Sequence, residues 1–215
     1  MILQNIPLFA NLPKKDLETL TQRAITKNYP KNTILVSEGD ETNSLFVIDS
    51  GKVKVFLSDH EGKEIVINVH GKGDYFGEIA LLDDAPRSAS VMTTEPCRVV
   101  LILKRDFEEC LGQNPSIALC LLKDLTHRLR TLTDNVKSLA LMDVYGRVAR
   151  VLLNMASVEN GKWIIAQRVT QKEIANRVGA SREMVSRIMK DLTEGGYITV
   201  SKHGIVINQK LPENW

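Results

Sequence analysis

The chain has 215 residues, 43% of them apolar and 25% charged, which excludes wholesale disorder and fibrous architectures and, at roughly 150 residues per domain, leaves room for one large domain or two modest ones. Its longest apolar run, Ile117 to Leu122, has six residues against the roughly 18 needed to cross a bilayer. Residues 1–10 lack a leader pattern, so no membrane partner is expected and the cytoplasm is the expected compartment. The net charge of +2 is unevenly spread: residues 1–141 carry 17 basic and 19 acidic side chains, residues 142–215 carry 11 and 7. A basic carboxy-terminal segment suggests an anionic partner.

In chain order, 13–24 is predicted as a short amphipathic helix with Leu12, Leu17 and Leu20 as its apolar positions. From about Asn32 to Ile102 short β-branched runs alternate with glycine turns: 33–36, 45–48, 53–57, 65–69, 89–92 and 99–102. This is the pattern of a β-sandwich or barrel. After Asn114-Pro115, a helix without interior proline or glycine is predicted from Ser116 to about Leu141. Its apolar residues Ala118, Leu122, Leu125, Leu129, Leu132, Val136 and Leu139 recur at alternating spacings of four and three. That narrow stripe suits a two-stranded coiled coil, with Leu122, Leu129 and Val136 at a positions, and predicts a homodimer. The alternative is a helix buried in its own domain, which would carry a wider apolar face.

Beyond it, Asp143 is expected to cap a helix reaching about Ser157, followed by a loop at 157–162 and a strand at 163–166. Thr170-Gln171-Lys172-Glu173 reads as a capping box. The helix it opens stops at Gly179, and a second starts at Ser181 with Val185, Ile188, Met189 and Leu192 on one face. Two short helices meeting at a glycine turn make a helix-turn-helix. A hairpin, 197–200 and 205–207 around Lys202-His203-Gly204, gives it a wing. The outward face of the second helix presents Ser181, Arg182, Glu183, Ser186 and Arg187, side chains able to read base edges in a major groove. Gln171, Lys172 and Ser181 are candidates for phosphate contacts, with Lys202 and His203 as further candidates.

The most informative stretch of the β segment is Phe76-Gly77-Glu78-Ile79-Ala80-Leu81-Leu82, followed by Pro86-Arg87-Ser88-Ala89. A glycine admitting close backbone approach, a helix start and a returning arginine form a nest for one phosphate. Glu78 can accept from a ribose hydroxyl, and Arg87 and Ser88 can donate to the phosphate. An ion pair between Glu78 and Arg87 that merely closes the loop is the alternative.

These residues resemble the phosphate-binding cassette of cyclic-nucleotide-binding domains. Arg182-Glu183-Met184-Val185-Ser186-Arg187 resembles the recognition helix of the CRP/FNR family. The order of parts is similar to that family over nearly the whole chain, including the hinge 139–144. The resemblance implies an α+β fold with a cyclic-nucleotide-binding β-roll at 1–115, a dimerisation helix at 116–141 and a winged helix-turn-helix at 142–215. It implies a transcription regulator whose effector is a cyclic nucleotide, with cyclic AMP the first expectation, held by Gly77, Glu78, Ile79, Ala80, Arg87 and Ser88. On the long helix Arg128 stands at the family's sugar-phosphate-side arginine, and Thr133 where a serine of the opposite subunit meets the purine. Arg182, Glu183 and Arg187 would read bases of a palindromic double-stranded operator with half-sites resembling TGTGA, and RNA polymerase is the further partner implied.

Several residues depart from that pattern. Leu132 replaces the adenine-contacting threonine of the cyclic-AMP-responsive branch, so Thr131 or Thr133 as substitutes, cyclic GMP, a cyclic dinucleotide, or no effector all stay open. Ser186 stands where that branch has glycine and the oxygen-sensing branch has serine. The amino terminus lacks the oxygen-sensing branch's cysteine cluster, and the 157–162 loop is shorter than the family's polymerase-contacting loop. Cys97, Cys110 and Cys120, odd in number and without C-x-x-C spacing, are expected as core thiols. His60, His70, His127 and His203 are too dispersed for a metal site, with His70 the one conceivable haem ligand. Trp163 and Trp215 are expected as packing and tail residues. No catalytic arrangement of serine, cysteine or carboxylates is evident, so no enzyme is expected. A nucleotide-binding regulatory subunit acting on a protein partner is the remaining alternative class.

Overall fold

The protein is described from a computed structural model, covering residues 3–41, 43–159, 161–202 and 204–211. Its contacts divide it into two compact units, residues 1–57 with 66–130, and residues 58–65 with 131–215.

The first unit opens with two short 3-10 turns and α1 (Lys14–Arg23), then β1 (Ile25–Tyr29), β2 (Ile34–Val36), β3 (Ser44–Ser50), β4 (Val53–Ser58), β5 (Glu64–His70), β6 (Tyr75–Phe76), α2 (Glu78–Leu82), β7 (Ser90–Thr93), β8 (Cys97–Leu103) and α3 (Lys104–Gln113). Two four-stranded sheets form, ordered β1-β8-β3-β6 and β2-β7-β4-β5. Strand β3 shows why its run is apolar throughout. Phe46 and Ile48 enter one core with Val53, Val91 and Val99, while Leu45 and Val47 enter a second with Leu17, Leu20, Phe107 and Ile117. With successive side chains on opposite faces, a strand covered on both sides has no polar face to show.

The six strands read from sequence are present with shifts of one or two residues at their ends, and α1 and the long helix are where expected. Strands β1 and β6 and helix α3 are additional. Cys97 and Cys110 are buried as expected, but Cys120 is only partly covered. His70 is buried, its Nδ1 3.7 Å from Asp74 Oδ2. No group of three potential metal ligands occurs among the described residues, and none of their helices is long and apolar enough to cross a membrane.

The long helix α4 (Pro115–Leu141) has two apolar faces. Near its start Ile117 and Leu121 are buried in the core of the first unit. Most of the heptad stripe is open: Leu122, Leu129 and Val136 are 59%, 63% and 64% exposed, and Leu132 and Leu139 are exposed as well, while Leu125 packs against the core of the first unit and Ala118 is partly covered. One face of this helix is thus buried in its own unit, while the other leaves most of the stripe exposed.

The second unit continues with α5 (Val144–Met155), β9 (Ser157–Glu159), β10 (Lys162–Ile165), α6 (Gln171–Val178), α7 (Arg182–Glu194), β11 (Ile198–Ser201) and β12 (Gly204–Ile207). Its sheet runs β11-β12-β10-β9, and Val148, Leu152, Ile174, Val178, Val185, Ile188 and Leu192 share its core. Asp143 caps α5 by accepting from Gly146 N at 2.7 Å. Arg147 Nε donates to Val178 O and its Nη1 to Met142 O, each at 2.9 Å, fixing the hinge carbonyls beside the end of α6.

Three expectations need correction here. Helix α5 ends at Met155 rather than Ser157. The presumed 157–162 loop contains β9, paired antiparallel with β10. Trp163 is not a packing residue but 46% exposed, standing opposite exposed Val158 across that pairing. His203 and Trp215 lie outside the described residues.

The capping box is complete: Glu173 N donates to Thr170 Oγ1 at 3.2 Å and Thr170 N to Glu173 Oε2 at 2.6 Å. Gly179 then ends α6 in the left-handed region at φ +63°, a conformation side-chain-bearing residues adopt at a cost. Because the cap satisfies otherwise orphaned amides, Thr170→Ala is expected to cost about 1 kcal/mol of the second unit's stability, measured by urea unfolding.

Candidate functional site

Strand β6 ends at Phe76, and Gly77, with φ +87°, turns the chain into α2. A Cβ at that position would collide with Arg87 Nη1, so glycine is what permits the arginine to lie against the turn. Arg87 is buried. Its Nη1 donates to Gly77 O at 2.9 Å and its Nη2 to Ser44 O at 2.7 Å, and it lies 5.5 Å from the centre of the Phe46 ring, which stacks on Phe76. Among the described residues no carboxylate is ion-paired with it. Burial holds this guanidinium below its usual pKa, with Glu78 and Asp40 pulling the other way. A buried cation balanced mainly by carbonyl dipoles favours an incoming anion.

The alternative Glu78–Arg87 pair does not form. Glu78, 2% exposed, instead accepts through Oε1 from Arg128 Nη1 at 3.0 Å. Its other oxygen, Oε2, is buried with no hydrogen-bond partner. An ionised acceptor left bare in a core is costly, and a ribose hydroxyl is a donor of suitable chemistry for it. Burial pushes the Glu78 carboxyl above the usual carboxylate range, with Arg128 opposing. Arg128 is itself held from three sides: Nη2 donates to Tyr75 O at 3.1 Å, Nε lies 2.8 Å from Asp124 Oδ2, and the guanidinium is 4.6 Å from the Tyr75 ring centre.

The structure thus brings Gly77, Glu78, Arg87 and Arg128 into one cluster, with Ile79 and Ala80 in the first turn of α2, where backbone amides have no acceptor within the helix. The Ile79 side chain is exposed and Ala80 buried. Ser88 follows Arg87 and is exposed. Thr131, Leu132 and Thr133 are exposed on α4. Sequence reasoning missed Tyr75 and Asp124. The spacing of Asp124 to Arg128, one helical turn, was a usable signal; Tyr75 carried none.

In the second unit α7 buries Val185, Ile188, Met189 and Leu192, as its pattern predicts. A groove of about 1200 Å³ runs between the helix-turn-helix and the wing, and its walls include Arg168, Gln171, Lys172, Arg182, Ser186 and Lys202. Glu183 and Arg187 are exposed on the same helix outside the groove. Ser181 is also exposed, but its hydroxyl is engaged as the N-cap of α7, accepting from Met184 N at 3.2 Å. Arg168 was overlooked, although its place two residues before the capping box puts it at the mouth of α6.

Residues 26–114 match the family model of the cyclic nucleotide-binding domain, and residues 146–210 that of the Crp-like helix-turn-helix domain. The chain is similar to a CRP-like cAMP-activated global transcriptional regulator of Mycobacterium tuberculosis, 31% identical over 211 residues, which are 96% of this chain and 94% of the relative. It is 32% identical over 198 residues to the cAMP-activated global transcriptional regulator CRP of Pasteurella multocida, covering 89% and 93% of the two chains. Among solved structures, the c-di-GMP responsive global regulator CLP of Xanthomonas campestris has the same fold, with a TM-score of 0.80 over 92% of this chain and all of that one at 24% identity.

Because the folded state raises the proton affinity of Glu78, its protonated form stabilises the ligand-free protein at low pH, and that stability is lost as pH rises from the unfolded carboxylate range through the raised folded value. Glu78→Gln lacks this loss. In urea unfolding of ligand-free protein, the variant is expected to gain on wild type as pH rises above the ordinary carboxylate range; a wild type that gains instead contradicts the assignment.

Proposed function

This chain belongs to the CRP/FNR family of transcription regulators, and we propose that it acts in the cytoplasm as a homodimer whose grip on operator DNA is set by cyclic AMP held in the first unit. The observation that carries this reading is the pairing of a buried arginine lacking a carboxylate partner, Arg87, with a buried acceptor lacking a donor, Glu78 Oε2. A cyclic nucleotide supplies an anion for the first and a hydroxyl for the second. In this reading Ser88 and the amides of Gly77, Ile79 and Ala80 share the phosphate with Arg87. Arg128 lies on the sugar-phosphate side, and Thr133 serves the pocket of the opposite subunit. The exposed a positions Leu122, Leu129 and Val136 support dimerisation through α4, since an apolar stripe of this length is ordinarily covered.

The second unit supplies Arg182, Glu183 and Arg187 as base-reading side chains and Gln171, Lys172 and Lys202 as phosphate contacts. Two copies related by a dimer axis would read palindromic half-sites resembling TGTGA about one helical turn apart. RNA polymerase is a further partner of this reading. A second effector reading rests on Leu132, an apolar residue where a purine-contacting hydroxyl is expected: unless Thr131 or Thr133 substitutes, the effector is cyclic GMP, a cyclic dinucleotide or none.

Calorimetric titration with cyclic AMP, cyclic GMP and cyclic di-GMP decides among these. Saturable binding of cyclic AMP near one per chain is expected, preferential binding of another supports the second reading, and binding of none rejects a nucleotide effector altogether. In DNA titrations Arg182→Ala is expected to cost about 1–3 kcal/mol on the specific duplex and little on random sequence; equal weakening on both removes its base-reading role.

A further inference from the structure

We propose that Asp124 is a positioning residue for the nucleotide pocket: anchored by the Tyr75 hydroxyl, its carboxylate sets the orientation in which Arg128 holds Glu78. The inference rests on the cyclic-nucleotide reading and adds two residues to it. Asp124 Oδ2 accepts from Tyr75 Oη at 2.6 Å and lies 2.8 Å from Arg128 Nε. The remaining nitrogens of Arg128 reach Glu78 Oε1 at 3.0 Å and Tyr75 O at 3.1 Å. A planar guanidinium bonded through all three nitrogens, with its plane against an aromatic ring, has one orientation left to it. Tyr75 supplies the ring, the carbonyl and, through Asp124, the anchor of the third bond.

Each bond has a consequence for Glu78. The carboxylate is desolvated, so it stays ionised and aimed only while Arg128 is in place. With Oε1 committed to Arg128, Oε2 is the oxygen left for a ligand donor. If Arg128 turns, Glu78 turns with it. Asp124 lies on α4 one turn before Arg128 and touches no part of the cassette that would meet ligand, so its action is through Arg128. Its side chain is 37% exposed, and the core of the unit does not need a carboxylate there. The Tyr75 ring, by contrast, is buried, and its hydroxyl requires a partner.

The test is calorimetric titration of the full-length protein with cyclic AMP, alongside urea unfolding to confirm that each variant is folded. Asp124→Asn keeps the shape and removes the charge, and affinity is expected to fall about tenfold. Asp124→Glu keeps a carboxylate within one turn of Arg128 and is expected to recover most of that loss. Tyr75→Phe alone is expected to weaken binding about threefold to tenfold, and to add nothing in the Asp124→Asn background, because both changes loosen one anchor. Unchanged affinity in Asp124→Asn, a Glu variant as weak as the Asn variant, or full additivity with Tyr75→Phe would each overturn the proposal while leaving the nucleotide reading intact. A wild-type protein that binds no cyclic nucleotide removes both together.

Discussion

One buried ion pair, Glu78 with Arg128, is the constraint on which the functional reading turns. Glu78 belongs to the short helix that follows the Gly77 turn, and Arg128 to the long helix α4. A carboxylate this desolvated, robbed of its cation, would cost several kcal/mol. The short helix α2 and the long helix are therefore bound by more than packing. Anything that donates to the other oxygen of Glu78 acts on a group whose partner sits on the helix that carries the exposed heptad stripe. In the proposed reading, that link is how a bound nucleotide would act on α4, provided it prefers one arrangement of the helix over another.

Arg87 is constrained in a complementary way. Gly77 leaves room for its guanidinium, two nitrogens of which donate to carbonyls rather than to a carboxylate. One cation thus meets the protein's own carboxylate, and the other meets only backbone carbonyls. In the second unit the capping box fixes where α6 begins, the Gly179 turn sets α7 against it, and Arg147 ties the hinge carbonyls to the end of α6. The basic groove beside α7 is therefore carried by a closely braced frame.

Legibility from the amino-acid sequence followed how local each signal was. Strands β3 and β8 were readable because burial on both faces makes their runs continuously apolar. The capping box and Gly179 were readable because caps are written in neighbouring residues. Strand β1 was missed because its three central residues are polar and all but Tyr29 are exposed, β6 because two residues carry no period, and β9 because all three of its residues are exposed. Helix α3 buries only Phe107 and Cys110, too little for an apolar stripe. In the pocket, Gly77, Glu78 and Arg87 announce themselves by spacing, but their partners are far along the chain: Ser44 for Arg87, Arg128 for Glu78, Asp124 for Tyr75. Pairing of that kind is decided by the packing of α4 on the sheet, which no short window of residues encodes. Trp163 misled for the opposite reason, since a large apolar side chain is assumed to be covered until a structure shows it on an open hairpin.

The most direct measurement of the central claim is the affinity for a palindromic duplex carrying TGTGA half-sites, read by fluorescence anisotropy with and without saturating cyclic AMP, in wild type and in Arg128→Gln. The account predicts at least a tenfold gain on adding nucleotide to wild type, and a variant that still binds the duplex but has lost the gain. Equal affinities in wild type with and without nucleotide, or an undiminished gain in Arg128→Gln, would contradict it.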